Sequence, residues 1–200
     1  MAIRALFATP FYEGELGDDG LLAELAHSCR TLARDDKAGR RWSRDNHYPG
    51  YTSYASLDDL PVRDPAFADL VRRLLPHVRS FAAAAHMDLG GRKPKIDSLW
   101  VNILKPRGGH SGHIHPASII SGTFYVEVPP GSSPLKLEDP RLPLLMAAPQ
   151  RTPDAPPDVR AFVYAAPAPG TLYLWESWLR HEVPPSAATA DRISISFNCS

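Results

Sequence analysis

Apolar residues recur at three- and four-residue spacing from Gly20 to Ala33, where Leu21, Leu22, Leu25, Cys29 and Leu32 form one helical stripe. Asp18 or Asp19 is placed to cap the free N–H groups of its first turn. A longer stripe runs through Phe67, Leu70, Val71, Leu74, Leu75, Val78, Phe81, Ala82 and Ala85. Asp64-Pro65 marks its start, because proline at the first helical position lacks an N–H that would have no partner anyway. Pro76 lies inside this run and predicts a kink or a division, and Gly90-Gly91 predicts its end. His77 and His86 read as surface residues of this helix. Ahead of both helices, residues 3–12 read as a short strand ending at Pro10.

Residues 35–63 have no clean period. They mix charge with Trp42, His47, Tyr48, Tyr51 and Tyr54, and are expected to form a long ordered loop. Its aromatic rings either line a substrate entrance or pack the loop onto the surface, and the second is the commoner use of such residues.

From Ile96 onward the pattern becomes short apolar runs divided by proline and glycine. Strands are expected at 96–104, 113–115, 119–128, 134–138, 160–165, 171–176, 181–183 and 191–198. Many short strands with proline-rich turns indicate a barrel or double-sheet jelly roll. The stretch from Pro140 to Pro157 reads as a surface loop. The expected organisation is one mainly β domain over 1–200. A helical part and loop (1–95) would pack on one sheet of a jelly-roll core (96–200).

Composition narrows this picture. Proline accounts for 21 of 200 residues, about twice the usual share of roughly 5%, which suits loops and strand ends. The formal net charge is zero, so no electrostatic argument points to nucleic acid or an anionic membrane surface. No stretch approaches the roughly 18 apolar residues of a membrane span, and the run at Met1–Phe7 is too short for a signal peptide. The two cysteines, Cys29 and Cys199, lack metal-site spacing and read as free thiols in a reducing compartment. A cytoplasmic address is expected, and a homodimer would be ordinary.

The candidate chemistry lies in the second half. In Arg192-Ile193-Ser194-Ile195-Ser196-Phe197-Asn198 the side chains of a strand alternate between faces. Arg, Ser, Ser and Asn point one way, while Ile, Ile and Phe point the other. If the apolar face packs under the helices, the polar row is directed inward, which is costly unless it binds something polar. The alternative is an ordinary solvated sheet face. His113 and His115, two apart on a strand, would project to one face and could grip one ion, and His181 follows 66 positions after His115. His110, in the glycine-rich approach Gly108-Gly109-His110-Ser111-Gly112, is a competing ligand, better read as a neighbour of the site or a mobile residue.

Several segments carry a family resemblance: Trp100-Val101-Asn102-Ile103-Leu104, His113-Ile114-His115-Pro116, Ser121 to Val126, Leu137 to Arg141, Gly170 to His181, and Arg192 to Asn198. In that order they resemble a bacterial family of 2-oxoglutarate-Fe(II) oxygenases, over about half the chain. Leu6 to Pro10 also resembles that family's start. The resemblance implies a double-stranded β-helix holding iron through His-x-Asp/Glu and a distal histidine. By position His113 is the first ligand and His181 the distal one, while His115 stands where the carboxylate would be. That departure weakens the iron diagnosis, because three histidines also suit zinc or another divalent ion. Arg192 and Ser194 match an Arg-x-Ser pair that binds the distal carboxylate of 2-oxoglutarate, where a guanidinium forks the carboxylate and a hydroxyl adds a third bond. Tyr125 matches a phenol on the same carboxylate, and Asn102 reads as an inward hydrogen-bonding residue of the site. Trp175 and Trp178, flanking His181, read as core packing.

The implied activity uses Fe(II), 2-oxoglutarate and dioxygen, releases succinate and carbon dioxide, and hydroxylates a small molecule or peptide that the sequence does not identify. The rival is a cupin-like three-histidine metalloprotein, either a dioxygenase or isomerase or a zinc-binding module. It would not use 2-oxoglutarate, and Arg192 would hold the substrate's own carboxylate. A blander alternative is an interaction domain with incidental histidines.

Overall fold

The computed structural model describes residues 2, 3, 6–16 and 18–200, so part of the strand expected at 3–12, at residues 4 and 5, lies outside the described residues. The first strand, β1 (Phe11–Glu15), begins after Pro10 instead of ending there. A proline has no N–H to give a sheet ladder, so pairing starts beyond it. Helix α1 (Asp19–Asp35) carries the expected stripe, and the Asp18 side chain accepts a 2.9 Å hydrogen bond from the Leu21 N–H as its cap.

The segment 35–63 is not a loop. It contains helix α2 (Lys37–Asp45), strand β2 (Gly50–Thr52) and helix α3 (Leu60–Arg63). The buried residues of α2 are Gly39 and Ser43, so this helix has no apolar stripe to betray it. Asp36 organises the region. Its carboxylate accepts from the Gly39 N–H at 2.9 Å, the Tyr51 hydroxyl at 2.9 Å and the Ser56 hydroxyl at 2.5 Å.

Helix α4 (Pro65–Ala84) runs unbroken through Pro76, which sits on its exposed side, where a missing backbone hydrogen bond costs least. It ends ahead of Gly90-Gly91, which lie in a turn. His86 is exposed as expected. His77 is half-buried, with its Nδ1 2.6 Å from the Tyr12 hydroxyl, and is not a plain surface residue.

The remaining strands are β3 (Ile96–Leu104), β4 (His110–His113), β5 (Ile120–Glu127), β6 (Leu135–Glu138), β7 (Phe162–Ala165), β8 (Thr171–Glu176), β9 (His181–Val183) and β10 (Arg192–Cys199). Between β6 and β7, the expected surface loop contains a short exposed helix, α5 (Pro143–Ala147). The strands form two antiparallel sheets, ordered β1-β8-β5-β10-β3-β2 and β4-β9-β6-β7. The chain is thus mainly β, with its principal helices before the core strands.

Two apolar clusters follow from strand alternation. Ile193, Ile195 and Phe197 of β10 point away from the smaller sheet and pack with Val101, Phe124, Leu172 and Leu174 under Leu25, Phe67, Leu70 and Leu74 of the helices. Each such fully buried side chain stabilises by about 1.5–3 kcal/mol relative to exposure. Between the sheets, Leu104, Tyr125, Leu135, Leu137, Tyr173, Trp175, Leu179 and Val183 form a smaller cluster. This cluster leaves the inward polar residues of β10 facing a cavity.

Candidate metal and anion site

The smaller sheet brings two histidines together by register. His113 at the end of β4 is the direct cross-strand partner of His181 at the start of β9, and their ring centroids are 4.4 Å apart. His115 reaches the site differently from the expected alternation, because β4 covers 110–113 and His115 lies beyond it. Its backbone N–H donates to the Ser177 carbonyl at 3.0 Å, which turns the chain so that its ring lies 5.1 Å from both other imidazoles. The candidate ligand atoms of His113, His115 and His181 all lie within 4.8 Å of one another.

The hydrogen bonds around these rings select the ligating tautomer. His113 Nδ1 is 2.7 Å from the Ser111 carbonyl oxygen, and His181 Nδ1 is 2.9 Å from that of Leu179. A carbonyl only accepts, so Nδ1 carries the proton on each ring and Nε2 is left with a free lone pair. His115 Nε2 is buried with no partner. Burial pushes the pKa of His181 down to about 3 and that of His115 down to about 4, so both stay neutral, the form that binds metal. Three convergent imidazoles fit a divalent ion.

The cationic end of the cavity is Arg192. It is 6% exposed, its Nη1 donates to the Ser133 carbonyl at 3.2 Å, and its Nε has no partner. Among the described residues no carboxylate lies within ion-pair distance of it. Its guanidinium carbon lies 5.6 Å from the centroid of the Tyr125 ring. Burial raises the Tyr125 pKa to about 12, which keeps the phenol a neutral donor. Ser194 lies opposite both Tyr125 and Asn102 in the β10 ladders, so the register itself assembles these three side chains. Asn102 is largely committed. Its Oδ1 accepts from Thr52 Oγ1 at 2.9 Å and Tyr48 at 3.2 Å, and its Nδ2 donates to Ser196 Oγ at 3.1 Å.

His110 stands apart from the three-histidine group, with its Nε2 2.8 Å from the Tyr48 hydroxyl. Burial, then repulsion from Arg192, lowers its pKa to about 3. Tyr48 and His110 thereby wall the Arg192 end of the cavity. The three histidines, together with Arg192, Ser194, Tyr125, Asn102, Tyr48 and His110, line one cavity of about 360 Å³. Its mouth is aromatic, with centroids 6.5 Å apart for Trp42 and Tyr54, 5.3 Å for Tyr54 and Trp100, and 5.9 Å for Trp100 and His115. Trp42, Tyr48 and Tyr54 come from the segment whose rings were expected to pack on the surface, and they line the cavity instead. The sequence signal for them was an unusual density of aromatics in a polar stretch. Trp178 is not core: it is 46% exposed, and its indole N–H donates to Glu176 Oε2 at 2.9 Å. Trp175 is buried as expected, yet it lines the cavity and its Nε1 has no partner.

A family model described as "Putative 2OG-Fe(II) oxygenase" matches residues 98–198, the span from β3 to β10 that builds this site. The chain belongs to this 2-oxoglutarate-Fe(II) oxygenase family. Similar solved structures agree on the fold. EctD from S. alaskensis, in a crystal with 2-oxoglutarate and 5-hydroxyectoine, has a TM-score of 0.68 at 14% identity over 98% of this chain and 73% of its own. A Pseudomonas putida prolyl-4-hydroxylase has a TM-score of 0.63 at 14% identity over 96% and 92%. The epimerase SnoN, in complex with Fe3+ and alpha ketoglutarate, has a TM-score of 0.62 at 13% identity over 96% and 79%. At these identities the likeness is one of fold. No curated protein matches the sequence. No helix among the described residues is long and apolar enough to cross a membrane.

Proposed function

We propose that this family member is an Fe(II)- and 2-oxoglutarate-dependent dioxygenase that hydroxylates an organic substrate entering past Trp42, Tyr54 and Trp100. His113, His115 and His181 are the metal ligands. Arg192, Ser194 and Tyr125 take the distal carboxylate of 2-oxoglutarate, and Asn102 holds Thr52, Tyr48 and Ser196 in place around it. One observation carries the reading: Arg192 is a buried cation with no acidic partner among the described residues, in the same cavity as three convergent imidazoles. A buried unpaired charge is costly unless an anion arrives to meet it.

Each side chain then has a defined task. The Ser111 and Leu179 carbonyls hold two imidazoles as Nδ1–H tautomers, and Trp100 stacks on His115. The Arg192 guanidinium donates to the far carboxylate and fixes the co-substrate's orientation in the cavity. The aromatic mouth gives an apolar surface to the substrate and limits entry of water. When bound, iron with 2-oxoglutarate supplies oxidative decarboxylation, leaving succinate and carbon dioxide and placing one oxygen atom of dioxygen on a substrate C–H bond. His115 in place of a carboxylate leaves the metal its full charge of +2, which favours chelation by a dianion. A single domain over 1–200 is supported by the helical stripes packing on the larger sheet, and a cytoplasmic address by two buried free thiols.

The three-histidine donor set also favours a second reading, in which the metal is held without 2-oxoglutarate and Arg192 binds the substrate's own carboxylate. Succinate formation separates the two. With Fe(II), 2-oxoglutarate and oxygen, the proposal expects succinate above background from the wild type and none from His181→Ala. Equal background from both proteins contradicts it.

A further inference from the structure

Among the described residues, three buried side-chain nitrogens have no hydrogen-bond partner: His115 Nε2, Arg192 Nε and Trp175 Nε1. All three belong to residues lining the one cavity. A buried donor left without a partner costs about 1–3 kcal/mol, so such atoms are kept where a ligand completes them. The function proposed above accounts for two. A metal takes the lone pair of His115, and a carboxylate takes the Arg192 N–H groups. Neither accounts for Trp175, whose indole can only donate.

The surroundings of Trp175 indicate which acceptor it meets. It lies on β8, opposite Ser121 of β5 and Phe11 of β1. It is 3% exposed, and its ring stands edge-to-face against His181 with centroids 4.7 Å apart. The indole is therefore beside a metal ligand and not at the aromatic mouth. His181 offers it no acceptor, because Nδ1 carries a proton and Nε2 is reserved for the metal. No protein acceptor among the described residues lies within hydrogen-bond reach of the indole N–H, and an oxygen atom held next to the metal is an acceptor of the right chemistry. Among groups bound there, the carboxylate adjoining the 2-oxo group of the co-substrate brings the negative charge that makes such a bond strong.

We propose that Trp175 is a co-substrate-binding residue whose indole Nε1–H donates a hydrogen bond to the metal-chelating carboxylate of 2-oxoglutarate. This rests on the 2-oxoglutarate reading of the site. It divides recognition of the dianion between the two ends of the cavity, with Arg192 on the far carboxylate and Trp175 on the near one. Both donors are held in place before the ligand arrives, Trp175 by packing with Leu135, Leu137, Leu179 and Val183.

The test uses Trp175→Phe, which keeps an aromatic ring and removes the donor. Metal affinity is measured with Zn(II) alone, and 2-oxoglutarate affinity is then measured on the Zn(II)-loaded protein by calorimetry. The proposal expects 2-oxoglutarate to bind about ten- to a hundredfold more weakly, as for loss of one charge-assisted bond, with Zn(II) affinity unchanged. Unchanged 2-oxoglutarate affinity overturns it. Equal weakening of Zn(II) and 2-oxoglutarate binding also overturns it, since that marks an indole that merely supports His181. The wild type gives an independent measurement that holds if the variant fails to fold. The chain has four tryptophans, so indole-¹⁵N labelling gives four N–H signals, with Trp175 assigned by elimination through Trp42→Phe, Trp100→Phe and Trp178→Phe. Adding 2-oxoglutarate to the Zn(II)-loaded protein should move the Trp175 signal downfield and protect it from exchange, and a signal that does neither refutes the assignment. Wild-type protein that binds Zn(II) but no 2-oxoglutarate overturns the parent reading along with this one. Wild-type binding with an unaffected variant overturns this one alone.

Discussion

Replacing Arg192 with methionine separates a ligand-binding arginine from a structural one. The substitution keeps an unbranched apolar stem and removes the guanidinium and its charge. In the folded protein the guanidinium makes one hydrogen bond, from Nη1 to the Ser133 carbonyl, and meets no carboxylate among the described residues. Removing a partner from a buried ion pair typically costs about 3–5 kcal/mol of stability, but here there is no pair to break. Loss of the Ser133 contact and relief of an uncompensated charge oppose each other, so the metal-free variant should unfold within about 1 kcal/mol of the wild type. Ligand binding should respond very differently. Two charge-assisted bonds to a carboxylate are worth about 3–6 kcal/mol together, which is roughly two to four orders of magnitude in affinity. Calorimetry of 2-oxoglutarate binding to Zn(II)-loaded protein, paired with urea denaturation of the metal-free form, reads both quantities. A dissociation constant within threefold of wild type would refute the anion-site reasoning. So would a stability loss of the size expected for a broken ion pair.

Other positions test separate links in the account. His115→Ala should weaken Fe(II) or Zn(II) binding by more than about a hundredfold, whereas His115→Asp, which restores an oxygen donor, should retain stoichiometric metal. Metal analysis of untagged protein decides this, and alanine that leaves metal content unchanged removes His115 from the ligand set. Gly50 has φ +149°, and a Cβ there would overlap the Ile103 carbonyl of β3. Gly50→Ala should therefore cost about 3 kcal/mol by chemical denaturation, and an unshifted midpoint would contradict the β2–β3 register. Asp64 caps α4 through the Ala66 N–H at 2.9 Å and accepts from Ser28 at 2.5 Å. Asp64→Ala should lower stability by about 1–2 kcal/mol with 2-oxoglutarate affinity intact, and a variant as stable as wild type would deny the cap its role.

How far the sequence could be read depended on whether a signal was local and periodic. Strand β10 was fully legible, because a period of two placed Ile193, Ile195 and Phe197 under the helices and Arg192, Ser194, Ser196 and Asn198 in the cavity. The caps were legible for a similar reason, since capping depends on neighbours in sequence: Asp64 outright, and Asp18 as one of two adjacent candidates. His113, His115 and His181 were singled out by motif and the fold brings them together, but alternation along one strand does not place His115, which lies beyond β4 and is positioned by the Ser177 carbonyl. Helix α2 was missed because it buries Gly39 and Ser43 and offers no apolar stripe. Its capping aspartate, Asp36, draws Tyr51 and Ser56 inward and so fixes the aromatic segment, a tertiary effect that no window of sequence contains. The open donor of Trp175 was invisible for a deeper reason. A missing partner is a property of everything packed around the indole, whereas the sequence shows only a tryptophan in an apolar strand.

The most direct measurement is an anaerobic titration of the metal-free protein with Fe(II) and then 2-oxoglutarate, following the weak visible charge-transfer band of the chelate. A band that saturates at one equivalent of each, and is lost in His181→Ala, is the result this account predicts. Demonstrated Fe(II) binding with no band on adding 2-oxoglutarate would contradict it, and would leave Arg192 to a substrate's own carboxylate.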